Sequence, residues 1–116
     1  MVVGGGPVGA LAGLYMSTKH KHTVIILERQ PTLTPSNRSI NLALSYRGLR
    51  AIREVDAGLC EVVLAASVPV KGRMIHTVEG RECEHEYGCF GECIYSIDRH
   101  LLNRLLVDRA SEHCSI

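Results

Sequence analysis

No apolar run in the sequence approaches the ~20 residues that a bilayer-spanning helix needs, and the mean hydropathy is only +0.08. Nothing in these 116 residues therefore reads as a membrane span. A secretory leader is not legible either, because the short apolar start is broken by glycines and no basic segment precedes it. An excess of charge of one sign is also missing. Thirteen Lys and Arg against twelve Asp and Glu leave a net charge of +1, which argues against a nucleic-acid partner. The densest basic run, "TKHKH" at 18–22, falls where a helix is expected to end, and cations there complement the helix dipole.

Paired cysteine motifs are absent as well. Cys83, Cys89 and Cys93 lie six and four residues apart, spacings that match neither a zinc-type Cys-x-x-Cys pair nor a redox dithiol. Cys60 falls on an expected apolar helix face and Cys114 near an end expected to fray. All five cysteines are thus expected to be reduced thiols of an intracellular protein, with no metal. Repeats and low-complexity linkers are lacking, and the length allows one domain at most.

What is present begins at the first residue. "MVVGGGPVGA" (1–10) is an apolar stub followed by Gly-x-Gly-x-x-Gly at Gly4, Gly6 and Gly9. In a nucleotide-binding turn the first glycine permits the tight turn and the second lets backbone approach a pyrophosphate. The third allows close packing of helix on strand, while the helix N-terminus offers free N–H groups to the phosphates. A helix is expected over 7–20, with Pro7 in its first turn and Val8, Leu11, Ala12, Leu14 and Tyr15 as its buried stripe. The β-branched run "TVIILE" (23–28) reads as a parallel strand covered on both faces. Glu28 closes it about 20 residues after the glycines, where an acid receives a ribose 2′-hydroxyl and repels a 2′-phosphate. These residues favour FAD or NAD over NADP and do not decide between the two.

Beyond this βαβ unit, 30–37 holds two prolines and reads as a loop. Residues 38–59 begin extended and become helical from about Ser45, with Leu49, Ile52 and Val55 on one side. Gly58 ends that helix or separates it from a shorter one at 60–66. Strands are expected over 71–78, 82–87 and 93–97, with a turn at "EGR" (79–81). Asp98 is placed to cap a final helix with the stripe Leu101, Leu102, Leu105, Leu106 and Ala110. The fold class is therefore α/β: a partial, Rossmann-like dinucleotide-binding domain made of a βαβ core, a helical excursion, a β-ribbon and a helix. The stub before Gly4 and the stop after the last helix read as two cut ends, so residues 1–116 are expected to be an incomplete domain.

"RSINLALSYRG" (38–48), "GRMIH" (72–76), "YG" (87–88) and "YSIDRHLLNRLL" (95–106) together resemble the N-terminal segment of the kynurenine 3-monooxygenase family. Its members are flavin-dependent aromatic hydroxylases, and the similarity runs over nearly the whole chain. The resemblance implies FAD as cofactor, NADPH as reductant, and L-kynurenine and dioxygen as substrates, giving 3-hydroxykynurenine. It implies FAD contacts at Val8, Glu28, Arg29, Ala43 and Arg99, beside the glycines, and assigns Arg73 and Tyr87 to the substrate carboxylate. An arginine fork pairs with a carboxylate bidentately, and a phenol adds a hydrogen bond. Arg38 and Asn41 are expected to shape the loop near the flavin. A strand-surface cation for Arg73, a ribbon residue for Tyr87 and, for Arg99, a first-turn arginine of an amphipathic helix or an ion pair with Asp98 are the plainer readings. His76 reads as structural, without an identifiable partner. No residue is expected to act as catalytic acid, base or nucleophile, since the flavin carries the oxygen chemistry.

The family's polypeptide is several times longer, with a second FAD-contacting segment, a substrate domain and, in eukaryotes, a C-terminal anchor in the mitochondrial outer membrane. A chain of this length alone is expected to bind FAD weakly and to be inactive. Two other readings stay open here. One is an NAD-dependent dehydrogenase module, which leaves Arg73, Tyr87 and "RSINLALS" without a role. The other is a non-enzymatic truncated isoform with exposed sheet edges.

Overall fold

In the computed structural model, residues 1–30 and 40–116 are described; all of the loop expected over 30–37 except Gln30, and Arg38, lie outside them. Strand β1 (Val2–Val3), helix α1 (Pro7–Thr18) and strand β2 (Ile26–Leu27) form the expected unit, with β1 and β2 parallel. Val2 donates its amide to the Ile25 carbonyl and Gly4 to that of Leu27, both at 2.8 Å. Alternate residues of β2 turn the other way. Ile26 donates to the Ser115 carbonyl at 2.8 Å and Ser115 to Val24 at 3.1 Å, a parallel bridge. Ser115 therefore lies on the edge of β2 opposite β1, and the residues around Cys114 are tied down rather than frayed.

The stripe expected on α1 is rotated. Its buried residues are Ala10, Gly13 and Leu14, whereas Val8 is 83% exposed and Tyr15 is also exposed. The helix is apolar nearly all round, so periodicity does not choose a face. The small residues do, because they let the helix approach β2 and helix α4 (Arg99–Ser111) most closely. The helix also stops at Thr18, with no basic residue in its last turn, so "KHK" follows the helix rather than completing its dipole.

Strand β2 is covered on one face only. Val24 and Ile26 are buried, but Ile25 and Leu27 are each 48% exposed, which corrects the expectation of a strand covered on both sides. The continuous β-branched run does not distinguish one buried face from two.

Strand β3 (Leu42–Leu44) leads through Ser45 into α2 (Tyr46–Val55), which is followed by α3 (Ala57–Ala65). The break between the helices falls at Asp56, not Gly58. The Asp56 Oδ1 accepts the Leu59 N–H at 2.8 Å, capping α3, and its Oδ2 lies 3.1 Å from Nε of Arg109 on α4. Strand β4 (Val68–Val70), unforeseen because of Pro69, is an edge strand, where a missing N–H is tolerated. It pairs antiparallel with β7 (Ile94–Ile97), whose other side pairs with β3, in the order β3-β7-β4. Strands β5 (Gly72–His76) and β6 (Glu82–Glu86) form a separate antiparallel ribbon. Its loop turns on Gly80 at φ +77°, where the left-handed backbone favours glycine.

One core joins the four helices with β1, β2, β3 and β7, and the ribbon contributes no residue to it. Leu14, Ile26, Ile52, Val63, Ile97 and Leu106 are fully buried in it, and each such side chain contributes roughly 1.5–3 kcal/mol of transfer free energy. Of the stripe expected on α4, Leu102, Leu106 and Ala110 are buried. The five cysteines are free, with Cys60 in the core. Among the described residues no helix is long and apolar enough to cross a membrane.

Candidate functional site

The glycine turn sits where β1 ends and α1 begins. Gly4 adopts φ +97°, a conformation that costs glycine little and other residues much. A Cβ on Gly9 would lie 1.9 Å from the Gly4 carbonyl oxygen, so the third glycine lets α1 approach the turn itself. The helix is N-capped by Gly6, with no side-chain cap, Pro7 in its first turn and no acidic residue there. Its first N–H groups are thus left for an external acceptor, and nothing negative stands before the positive end of the dipole. A Cβ on Gly6 would meet nothing within 4 Å, so the turn is open on that side.

Glu28 closes over this turn from the end of β2. Its Oε2 accepts the Gly5 N–H at 2.6 Å and its Oε1 the Gln30 N–H at 2.9 Å. The Gln30 and Gly5 amides, in that order, hold the carboxyl below its ordinary range, with a further pull from Arg29. A carboxylate has about four lone-pair sites; one on each oxygen remains for a pair of vicinal hydroxyls. Gly5 was not among the expected glycines. It is the middle member of "GGG", and a Cβ there would lie 3.1 Å from that of Glu28.

The other expected residues are distributed over three places. Val8 and Arg29 are exposed beside the turn and β2. Ala43 pairs with Ser96 across β3 and β7, and Arg99 opens α4 just after β7, at the same end of that sheet as Asn41. The Asp98 side chain accepts the Leu101 N–H at 2.7 Å, as a cap, and among the described residues Arg99 makes no ion pair with it. Arg73 and Tyr87 lie on the ribbon. Arg73 is opposite His85, and Tyr87 extends the ladder by donating its amide to the Lys71 carbonyl at 2.8 Å. Side chains alternate along a strand and directly opposite residues share a face, so Arg73 and Tyr87 fall on the same face. His76, read as partnerless, has its Nδ1 3.2 Å from Glu82 Oε1, because register places them opposite each other.

The family model described as "FAD binding domain" matches residues 1–116. The chain belongs to the FAD binding domain family. Among curated relatives, kynurenine 3-monooxygenase of Yarrowia lipolytica is 43% identical over 99% of the chain and 26% of its own length. That of Saccharomyces cerevisiae is 42% identical over 92% and 24%, and that of Drosophila willistoni 39% over 99% and 26%. The chain thus spans about a quarter of the length of these relatives. Two solved structures share the fold. p-Nitrophenol 4-monooxygenase PnpA from Pseudomonas putida DLL-E4 matches with a TM-score of 0.73 at 19% identity, over 99% of this chain and 29% of its own. The flavin-dependent monooxygenase PieE, in complex with FAD and substrate, matches with 0.75 at 22%, over 97% and 22%.

The residues present fit a dinucleotide of this kind. The turn has an uncapped helix N-terminus for phosphate, an open side at Gly6 and a carboxylate with free lone pairs for ribose.

Proposed function

We propose that this chain is the N-terminal, FAD-binding part of a flavin-dependent aromatic hydroxylase that converts L-kynurenine to 3-hydroxykynurenine with NADPH and dioxygen. The observation that carries the cofactor reading is the pairing of Glu28 with Gly5 across an uncapped helix N-terminus. Identity near 40% to kynurenine 3-monooxygenases along almost the whole chain favours this substrate over other aromatic ones. It also favours the dinucleotide FAD over NAD, and the mitochondrial outer membrane as the location of the full-length protein.

In this reading the first N–H groups of α1 and the turn at Gly4, Gly6 and Gly9 take the pyrophosphate, and Glu28 takes the ribose hydroxyls. Val8, Arg29, Ala43 and Arg99 line the path of the cofactor. FAD, when bound, supplies the redox and oxygen chemistry. Arg73 and Tyr87, on one face of the ribbon, hold the amino-acid carboxylate and so orient the aromatic ring. The protein's part is orientation and exclusion of water.

The test is expression of the full-length protein that carries this segment. A yellow protein with flavin absorbance that oxidises NADPH faster when L-kynurenine is added, and forms 3-hydroxykynurenine, supports the reading. A colourless protein that binds NADH refutes it.

A further inference from the structure

The β5–β6 ribbon carries opposite charge on its two faces. Register puts Met74 opposite Glu84, His76 opposite Glu82 and Gly72 opposite Glu86, so three glutamates share one face. Arg73, His85 and Tyr87 share the other, with Lys71 extending it beside Tyr87. The acidic face repels an anion. The opposite face presents a guanidinium, an imidazole, a phenol and an ammonium, all of them donors.

Arg73 and His85 form a hydrogen-bonded pair of the ladder, since these pairs alternate and Lys71–Tyr87 and Thr77–Arg81 belong to the same set. Their Cα atoms are therefore about 5.5 Å apart, and Tyr87 lies two residues on from His85, roughly 7 Å along the strand. Among the described residues, none of the three side chains is engaged in a hydrogen bond or ion pair, whereas His76 on the acidic face is paired with Glu82. All three are exposed and hydrogen-bond to water, which a ligand bringing several acceptors of its own can displace together.

We propose that His85 is a third recognition residue for the substrate carboxylate, its ring N–H donating to one oxygen while Arg73 and Tyr87 hold the group from either side. A neutral imidazole suffices, because it keeps one N–H donor and avoids a second cation opposite Arg73. The inference rests on the assignment of Arg73 and Tyr87 to that carboxylate, and it narrows the ligand class to aromatic amino acids with a free carboxylate.

The experiment uses the FAD-loaded, full-length protein carrying this segment. L-kynurenine and its decarboxylated amine, kynuramine, are titrated against the flavin absorbance, which reads binding without turnover. For His85→Leu the expected result is L-kynurenine binding weakened roughly tenfold, the loss of one hydrogen bond to a charged group, with kynuramine binding within about twofold of the parent protein on the same scale. His85→Gln keeps an N–H donor and restores most of the affinity. Arg73→Met is the control and weakens L-kynurenine selectively. If Arg73→Met discriminates between the ligands and His85→Leu does not, the role of His85 is overturned and the Arg73 reading survives. If Arg73→Met fails to discriminate, both fall. Equal weakening of both ligands by His85→Leu, or no recovery in His85→Gln, also overturns it.

Discussion

Replacing Gly9 by alanine adds a single methyl at the tightest point of the nucleotide turn. The added carbon would stand 1.9 Å from the Gly4 carbonyl oxygen and 3.0 Å from its carbon. Raising 1.9 Å to the 3.0 Å below which real Cβ contacts do not occur requires α1 to move about 1.1 Å. The carbonyl does not yield freely instead, because it shares its peptide plane with the Gly5 amide, which is bonded to Glu28 Oε2 at 2.6 Å. Moving α1 disturbs Ala10 and Leu14, which are fully buried. A clash this deep, with the Gly4 carbonyl oxygen well inside the contact limit, lies at the upper end of the usual overpacking range, about 3 kcal/mol, against about 1 kcal/mol gained from alanine's better helix propensity. A net loss of about 2 kcal/mol is expected, which lowers the melting temperature by roughly 5–15 °C for a chain of this size. Gly6→Ala is the paired control. Its Cβ meets nothing within 4 Å, so stability is expected to stay within about 0.5 kcal/mol, while FAD affinity drops because the methyl projects where phosphate approaches. Thermal and urea melts of the two variants, with FAD titration of the full-length forms, make the comparison. A Gly9→Ala protein as stable as the parent would refute the reasoning.

Glu28 has its folded pKa lowered by the Gln30 and Gly5 amides. Its stabilising effect is therefore complete above the ordinary carboxylate value and lost as pH falls through the lowered one. NMR titration is expected to show Glu28 ionising below 4.5, with loss of Gly5 amide protection in step; a midpoint at or above that value counts against the two hydrogen bonds. Asp56→Ala removes a cap worth about 1 kcal/mol and a partly exposed ion pair worth about 0–1 kcal/mol, whereas Asp56→Asn keeps the cap. Urea melts should therefore rank parent, Asn and Ala in that order, and an Ala variant no weaker than Asn would remove the cap from the account. The 116-residue polypeptide alone is expected to form no 3-hydroxykynurenine with FAD, NADPH and L-kynurenine, and chromatographic detection of that product would contradict this.

The legible parts of the fold were those with local chemical signals. Pro7 and the glycines placed the start of α1, Ser45 that of α2, Asp98 that of α4, and "EGR" the ribbon turn. The helix face of α1 was not legible, because its side chains are apolar nearly all round and only the neighbours against which Gly13 and Ala10 pack decide it. Strand β4 was hidden by Pro69, whose missing N–H is harmless only once the strand is known to be an edge. The α2–α3 boundary was drawn at Gly58, although Asp56, three residues before the Leu59 amide that it caps, carried the signal. In the candidate site, Gly4, Gly9 and Glu28 followed from spacing, while Gly5 and His85 required pairing information. Gly5 becomes visible when β2 lies beside β1, and His85 when the ribbon register fixes its partner as Arg73.

The bridge between Ile25 and Ser115 bears on how the chain reaches this structure. It joins residues 90 positions apart in sequence, and α1 packs on α4 across a comparable separation. Closing a flexible loop of that length costs about 4 kcal/mol beyond a constant. Neither contact can form until α4 has left the ribosome, several seconds after α1 at ordinary elongation rates. The local β5–β6 ribbon and the α2–α3 hairpin bear no such delay. The dinucleotide turn, though encoded in the first ten residues, is thus expected to acquire its supporting layer last. Pulse-labelled hydrogen exchange would find the amides of β2 protected after those of the ribbon.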